Sequence, residues 1–475
     1  MSAAPAHKAP KVLTDQERTH AQDLLQRARA AMQLIANYDQ SAVDRLCRAV
    51  GWAGGNLPTA TRLANMSVDE SGMGGREPTR RAKVQGVLRD ALRQKSVGII
   101  EEIPGKGIVK YAKPAGVIAS LVPVTSPYVT PITTAIYALK CANAVVFSPH
   151  PSSRKTTAET VRIMRAALQK AGAPEDLIQC AENPSIPLAN EIMRICDLTV
   201  ATGGPAMVRA AYSSGKPAYG VGAGNATMVI DETADVAEAA RNSAISKTND
   251  HGSGCSADGN LVIDASIYGA MLERLQAEGG YLVNAAEKAK LQAAYWDAEG
   301  LRTADTIARS AAVVAAKAGI ALPAGKTFFV VEETNIGKEH FFSKEKLGVV
   351  MGVFKAAGFD AALDIVRRIF ETGGRGHSCG IYSHNDEHIH RLALMAPVSR
   401  IMVRQVQSRA NAGNFNNGMP MTSSMGCGIW GGNITNENIS LKHYMNVTWV
   451  SRPIAEDRPS EAELFGEFFN SEIFS

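Results

Sequence analysis

The sequence predicts an α/β chain of two doubly wound parallel-sheet domains with a small β element attached. Three observations carry this. Short apolar runs alternate with helical patterns from residue 116 onward. Those runs show little polar alternation, which fits strands covered on both faces. The chain has 475 residues, more than a single hydrophobic core usually organises.

Each element follows in order. Residues 14–36 place Ala21, Leu24, Leu25, Ala28, Ala31, Met32 and Ile35 at helical spacing, with Asp15 and Glu17 loading the first turn with acid. Helical patterns continue to about residue 92. Residues 99–111 read as two strands around a Pro104-Gly105-Lys106-Gly107 turn. The alternation then begins: strands at 117–124, 144–148, 177–181 and 198–202, helices at 130–139, 153–171, 186–194 and 205–212. A Gly-rich strand at 218–224 separates this series from a second one running from 228 to about 403. Residues 445–451 predict an edge strand able to pair with the 99–111 ribbon, within the subunit or across a dimer. The expected division is a flexible N-terminus (1–14), a nucleotide-binding domain (15–226, with the ribbon at 99–112), a second domain carrying a nucleophile (227–425) and a C-terminal return with an oligomerisation strand (426–475).

Composition narrows the function classes. Hydrophobic content of 45% and charged content of 20% are ordinary for a globular protein. No run of about 18 apolar residues predicts a membrane span, and residues 1–13 lack the apolar core of a signal peptide. The net charge of +4 is spread along the chain. Its densest basic stretch, residues 76–93, reads as a solvated helix face, because no aromatic residues interleave it for nucleic-acid stacking. Seven cysteines without CxxC spacing point to free thiols, no zinc site and a cytoplasmic address.

Candidate chemistry gathers at turns. Cys255 lies in Asn249-Asp250-His251-Gly252-Ser253-Gly254-Cys255, between a predicted helix (234–247) and a strand (259–264). A thiol on a small-residue turn is reachable and close to main-chain N–H groups, as a nucleophile requires. Cys427 also lies among glycines and competes for that role. Thr202-Gly203-Gly204-Pro205 ends a strand and opens a helix, a place for pyrophosphate, although a packing turn explains it as well. Ser148, His150, Arg154 and Lys155 leave another strand with no carboxylate to claim a ribose 2′-hydroxyl, which suits a 2′-phosphate; an ordinary capped turn is the equal alternative. Thr125 follows a third strand and offers a hydroxyl to a developing oxyanion. Glu345 alone reads as a solvated carboxylate. His377, among Gly373, Gly374 and Gly376, is an approachable imidazole or a structural one.

Together these segments resemble the aldehyde dehydrogenase superfamily, and closely its CoA-acylating branch. The matches are residues 123–127, 147–151, 201–204, 213–217, 220–225, Cys255, 345–348, 376–377 and 426–433, in the family's order. The resemblance implies the family's fold and a set of roles. Cys255 is the nucleophile whose thiohemiacetal gives up hydride and becomes a thioester. Thr125 stands at an oxyanion position that is Asn in hydrolytic members. Thr202, Gly203, Gly204 and Gly222 lie by the cofactor, Glu345 holds the nicotinamide ribose, and Ser148 and His150 stand at the adenosine ribose. Hydrolytic members carry a Glu where this chain has Val221. Without that base, water attack loses roughly 10²–10⁴-fold, and the thiol of coenzyme A takes the acyl group instead.

Within the branch the pattern is most similar to the acylating sulfoacetaldehyde dehydrogenases, and those resemble acylating succinate-semialdehyde dehydrogenases. The implied substrate is a small anionic aldehyde. Arg209, Arg404, Arg409, His251 and Thr422 are the candidate donors to its acid group, and His377 is a further candidate contact to substrate or CoA. NADP is the implied cofactor, with NAD the alternative; CoA is co-substrate, and a homodimer or homotetramer is expected, with no metal, nucleic acid or membrane. Acylating succinate-semialdehyde or acetaldehyde dehydrogenase, an acyl-phosphate reductase and a non-catalytic scaffold of the same fold stay open as alternatives.

Overall fold

A computed structural model describes residues 12–469. The expected N-terminal segment falls almost wholly outside them; its last residue, Thr14, caps the first helix, Asp15–Leu34, in a reciprocal capping box with Glu17. Helices Gln40–Gly55, Leu57–Ser71 and Arg81–Leu92 follow, and their apolar stripes join the first core through residues such as Leu24, Val50 and Val87.

Among the described residues, fifteen strands then build three sheets. The ribbon is β1 (Gly98–Ile103) and β2 (Ile108–Pro114). The first parallel sheet holds β3 (Val117–Val122), β4 (Ala144–Pro149), β5 (Ile178–Cys180), β6 (Leu198–Thr202) and β7 (Ala218–Val221). The second holds β8 (Thr227–Ile230), β9 (Asn260–Asp264), β10 (Gly280–Leu282), β11 (Phe328–Glu333), β12 (Val350–Ala356), β13 (Cys379–Tyr382) and β14 (Ile401–Val403). The last strand is β15 (Met445–Ser451), and it pairs antiparallel with β2 inside the same subunit, from Met445 opposite Pro114 to Ser451 opposite Ile108.

The first sheet runs β5-β4-β3-β6-β7, so its strand order reverses at β3, and the crevice beyond the carboxyl ends of β3 and β6 is the natural ligand site. Strands β3 and β4 are buried along their whole length, as the absence of polar alternation predicts. The second sheet runs β10-β11-β12-β9-β8-β13-β14. Its register sets Thr227 beside both Asn260 and Cys379. The segments entering those three strands therefore lie side by side, and they carry Gly224, Cys255 and His377.

Strand β7 ends at Val221, earlier than the predicted 224, because Gly222–Gly224 leave the ladder to cross toward β8. Beyond β14 the chain returns to the first core by Met421, which packs there with Ile439, Leu441 and Tyr444. The Tyr137 hydroxyl donates to the Met421 carbonyl at 2.7 Å and locks that return.

Candidate active site

Helix Val236–Thr248 runs into a turn, Asn249–Gly252, that is strained on purpose. Asp250 and His251 both take left-handed φ values of 52°, which cost non-glycine residues about 1 kcal/mol or more each. Arg80, just ahead of helix Arg81–Leu92, holds the turn. Its guanidinium forms an ion pair with Asp250 and donates to the Ser253 hydroxyl. A third bond reaches the Thr125 carbonyl at 2.7 Å. Burial would raise the Asp250 carboxyl, but Arg80, the Gly75 N–H and the Ser253 hydroxyl hold it below the usual range. One cation thus joins the turn after β3 to the turn that presents Cys255.

The thiol is half-buried. His377 Nε2 lies 3.0 Å from Cys255 Sγ, and His377 Nδ1 is 2.8 Å from the Ser378 hydroxyl. Arg400, itself buried, donates to the His377 carbonyl at 3.0 Å and to the Gly426 carbonyl at 2.6 Å. This ties the histidine segment to the 426–436 loop. Gly224 passes so close that a Cβ there would sit 2.2 Å from the Cys255 carbonyl oxygen. Gly376 has a φ of +84°, and a Cβ there would meet the Cys427 carbonyl at 1.7 Å. Both glycines are required by space.

Electrostatics leave this pair neutral. Burial pushes the Cys255 thiol up to about 12, with the Glu345 carboxylate adding to the rise; Lys83 and Arg400 act in the opposite sense. Burial, then Arg400, pushes His377 down to about 3. At neutral pH a protonated thiol faces a neutral imidazole. Glu345 lines the same cavity as Cys255, together with Asn225 and Lys247. Its carboxylate accepts the Gly224 N–H at 3.0 Å. Burial raises it to about 7 against the opposing pull of that N–H, Lys247, Lys346 and Arg302. Lys346 Nζ, bonded to the Asn260 side chain at 3.0 Å and to the Lys344 carbonyl at 2.8 Å, fixes the turn that carries it.

The sequence-predicted residues divide. Cys255, His377, Glu345 and, through Arg80, Thr125 are brought together. Neither the Thr125 hydroxyl nor the Cys255 main-chain N–H makes a hydrogen bond among the described residues, so both are available to an oxyanion. His251 lies half-buried on the nucleophile turn. Val221 is buried and apolar. At the cofactor crevice, the Thr202 hydroxyl lies 2.7 Å from that of Ser424, Gly204 is the exposed N-cap of helix Pro205–Tyr212 with open space where a side chain would stand, and Gly222 is half-buried. Ser148 is buried at the end of β4, and His150 Nδ1 accepts the Ser152 N–H at 3.1 Å.

Others are placed elsewhere. The Thr422 hydroxyl is buried and spent on the carbonyls of Ile439 (2.7 Å) and Ser424 (3.0 Å), leaving it nothing for a ligand. Arg209 is exposed in the last turn of its helix, far along the axis from the N-terminus that faces the crevice. Arg404 and Arg409 are exposed, and Arg404 bonds His384 at 2.6 Å. Cys427 is buried, with its thiol 3.6 Å from the Met425 carbonyl.

Two expectations need correcting. The basic stretch 76–93 is not simply a solvated face, since Arg80 turns inward and Lys83, one helical turn on, is half-buried near the thiol. The turn after β4 does not lack a carboxylate either. Glu70, from helix Leu57–Ser71, accepts the N–H groups of Lys155 and Thr156 at 2.8 Å each and the Thr156 hydroxyl at 2.7 Å. Neither was visible as a local motif, because each partner lies far away in sequence.

Comparison with known proteins agrees with this geometry. Residues 61–450 match the model of the aldehyde dehydrogenase family. The chain belongs to that family. It is 44% identical to a sulfoacetaldehyde dehydrogenase of an Acholeplasma species, over 94% of this chain and 93% of the relative. It is 42% identical to the acylating sulfoacetaldehyde dehydrogenase of Bilophila wadsworthia, over 93% of this chain and 97% of that one. Among solved structures, an acetylating aldehyde dehydrogenase of Geobacillus thermoglucosidasius superposes with a TM-score of 0.90 at 35% identity, covering 94% of this chain and 99% of its own.

Proposed function

We propose that this aldehyde dehydrogenase oxidises sulfoacetaldehyde with coenzyme A and NAD(P) to sulfoacetyl-CoA, reversibly, through a thioester on Cys255. The observation that carries the acylating reading is Val221. It is buried and apolar where hydrolytic members of the family hold their base, and among the described residues Glu345 is the sole carboxylate lining the cavity of the thiol. The names of the relatives described above support the substrate.

The chain's residues divide the work. His377 Nε2 takes the Cys255 proton as sulfur attacks the aldehyde carbon. The oxyanion forms within reach of the Cys255 N–H and the Thr125 hydroxyl. Bound NAD(P) supplies the acceptor for the hydride that leaves that carbon. Glu345 is suited to the nicotinamide ribose, and the Gly203–Gly204 turn before helix Pro205–Tyr212 to the diphosphate. His377 releases the first proton to solvent, the thioester waits for the CoA thiol, whose proton His377 can then accept, and the Cys255 sulfur leaves and takes that proton back.

For the adenosine end, Ser148 and His150 with Arg154 and Lys155 suit NADP. A second reading, NAD, is favoured by Glu70, whose carboxylate already occupies the N–H donors that open helix Arg154–Lys170. The exposed apolar residues Val447, Trp449 and Val450 on β15 fit a homo-oligomer. No helix among the described residues is long and apolar enough to cross a membrane.

The test is kcat/KM for sulfoacetaldehyde, succinate semialdehyde and acetaldehyde, each with CoA and either NAD or NADP. Sulfoacetaldehyde is expected to lead. Preference for either other aldehyde, or acyl phosphate formed in place of the thioester when phosphate replaces CoA, overturns the reading.

A further inference from the structure

None of the arginines that composition offers for an anionic substrate is placed to serve it. Arg209, Arg404 and Arg409 are exposed, and Arg80, though beside the thiol, is fully committed to Asp250, Ser253 and Thr125. Lys83 is different. It lies three residues after Arg80, in the first turn of helix Arg81–Leu92, on the same side. Arg80 ties that side to the turns carrying Thr125 and Cys255. The Lys83 ammonium makes no hydrogen bond or ion pair among the described residues, although it is half-buried. The charges it feels most are Arg80 and the Cys255 thiol, and the nearby Asp250 carboxylate is already ion-paired with Arg80. The Lys247 ammonium is also buried and makes no hydrogen bond among the described residues, but it lies in the fields of Asp258 and Glu345, which supply its counter-charge.

We propose that Lys83 binds the sulfonate of the aldehyde while its carbonyl carbon lies on Cys255. This rests on the sulfoacetaldehyde reading above and names its specificity residue. The chemistry fits. The anionic group is one methylene from the carbonyl carbon, so its partner must come from the elements around the thiol, and Lys83 lies on the helix side that Arg80 ties to the turn carrying Cys255. A half-buried cation with no protein partner needs an anion to complete its hydrogen bonds. A sulfonate remains ionised and presents a tetrahedral set of oxygens, which a point-charge ammonium meets as well as a guanidinium; a planar carboxylate would favour the Arg fork, which here is taken.

The test uses the full chain as Lys83→Met, with Lys83→Arg as the charge-keeping control and Lys83→Gln in reserve should the Met variant not fold. In Lys83→Met, kcat/KM for sulfoacetaldehyde is expected to fall by roughly 10²-fold. Acetaldehyde, which carries no charge, should stay within about threefold. The inhibition constant of ethanesulfonate, which has no carbonyl to react, should rise in parallel, and Lys83→Arg should restore part of both. Equal losses on the two aldehydes with unchanged ethanesulfonate inhibition would show that Lys83 serves the thiol and not the anion, and would overturn the proposal. A greater loss on succinate semialdehyde than on sulfoacetaldehyde would overturn it too. If the unaltered enzyme itself prefers acetaldehyde, the substrate reading fails, and ethanesulfonate still judges Lys83 separately.

Discussion

Cys255 and Cys427 both sit among glycines, and composition alone makes them rivals. The structure separates them by their partners. Cys427 is fully buried, its thiol directed at a carbonyl of its own loop. Cys255 is half-buried, with an imidazole nitrogen at 3.0 Å and a lysine and a carboxylate in its field. Glycines make a thiol approachable; a base within reach makes it a nucleophile. Cys427 instead belongs to the scaffold, since its carbonyl packs against Gly376 and its N–H donates to the Asn433 side-chain oxygen at 2.9 Å.

The largest effect should come from exchanging the two thiols' fates. Cys255→Ser is expected to lower kcat by roughly 10⁴-fold or more, whereas Cys427→Ser should leave kcat within about tenfold and show instead as a lower melting temperature. Comparable losses of kcat in both variants would erase the distinction.

The charge state of the site sharpens the same comparison. With Cys255 pushed up to about 12 and His377 down to about 3, the thiolate fraction of the free enzyme stays small throughout the neutral range. Since burial disfavours the charged thiolate, raising the pH must increase it steadily. Alkylation of Cys255 by iodoacetamide should climb about tenfold per pH unit across roughly pH 6 to 10 without a plateau. A plateau near neutral pH would mean that the thiol is already ionised before substrate binds. Cys427, being buried, should label only on unfolding.

Much of this was legible in the chain itself. Helix Pro205–Tyr212 and strand Met445–Ser451 appear at their predicted limits, because Pro opens the one and an unbroken antiparallel register against β2 defines the other. Cys255 and His377 were legible through the glycines around them, and Glu345 only through the family resemblance. Arg80, Lys83 and Glu70 were not, because a basic or acidic residue on an amphipathic helix looks the same whether its neighbour is water or a turn 170 residues away. The bonds of Thr422 were not legible for the opposite reason: a hydroxyl in a polar loop looks free until its acceptors, Ile439 and Ser424, are placed beside it.

The smallest expected effect lies farthest from the thiols. Glu70→Gln removes a negative charge from the opening of helix Arg154–Lys170 and should shift the ratio of kcat/KM for NADP to that for NAD upward by about two- to fivefold. An unchanged ratio would place the adenosine ribose away from this turn.

The central claim is that the Cys255 thioester waits for a thiol and not for water. Rapid mixing of the enzyme with sulfoacetaldehyde and NAD(P), without CoA, tests it most directly. The expected trace is a burst of reduced cofactor stoichiometric with Cys255, then a stall that ends when CoA is added. Continued steady formation of reduced cofactor and sulfoacetate in the absence of CoA would contradict it.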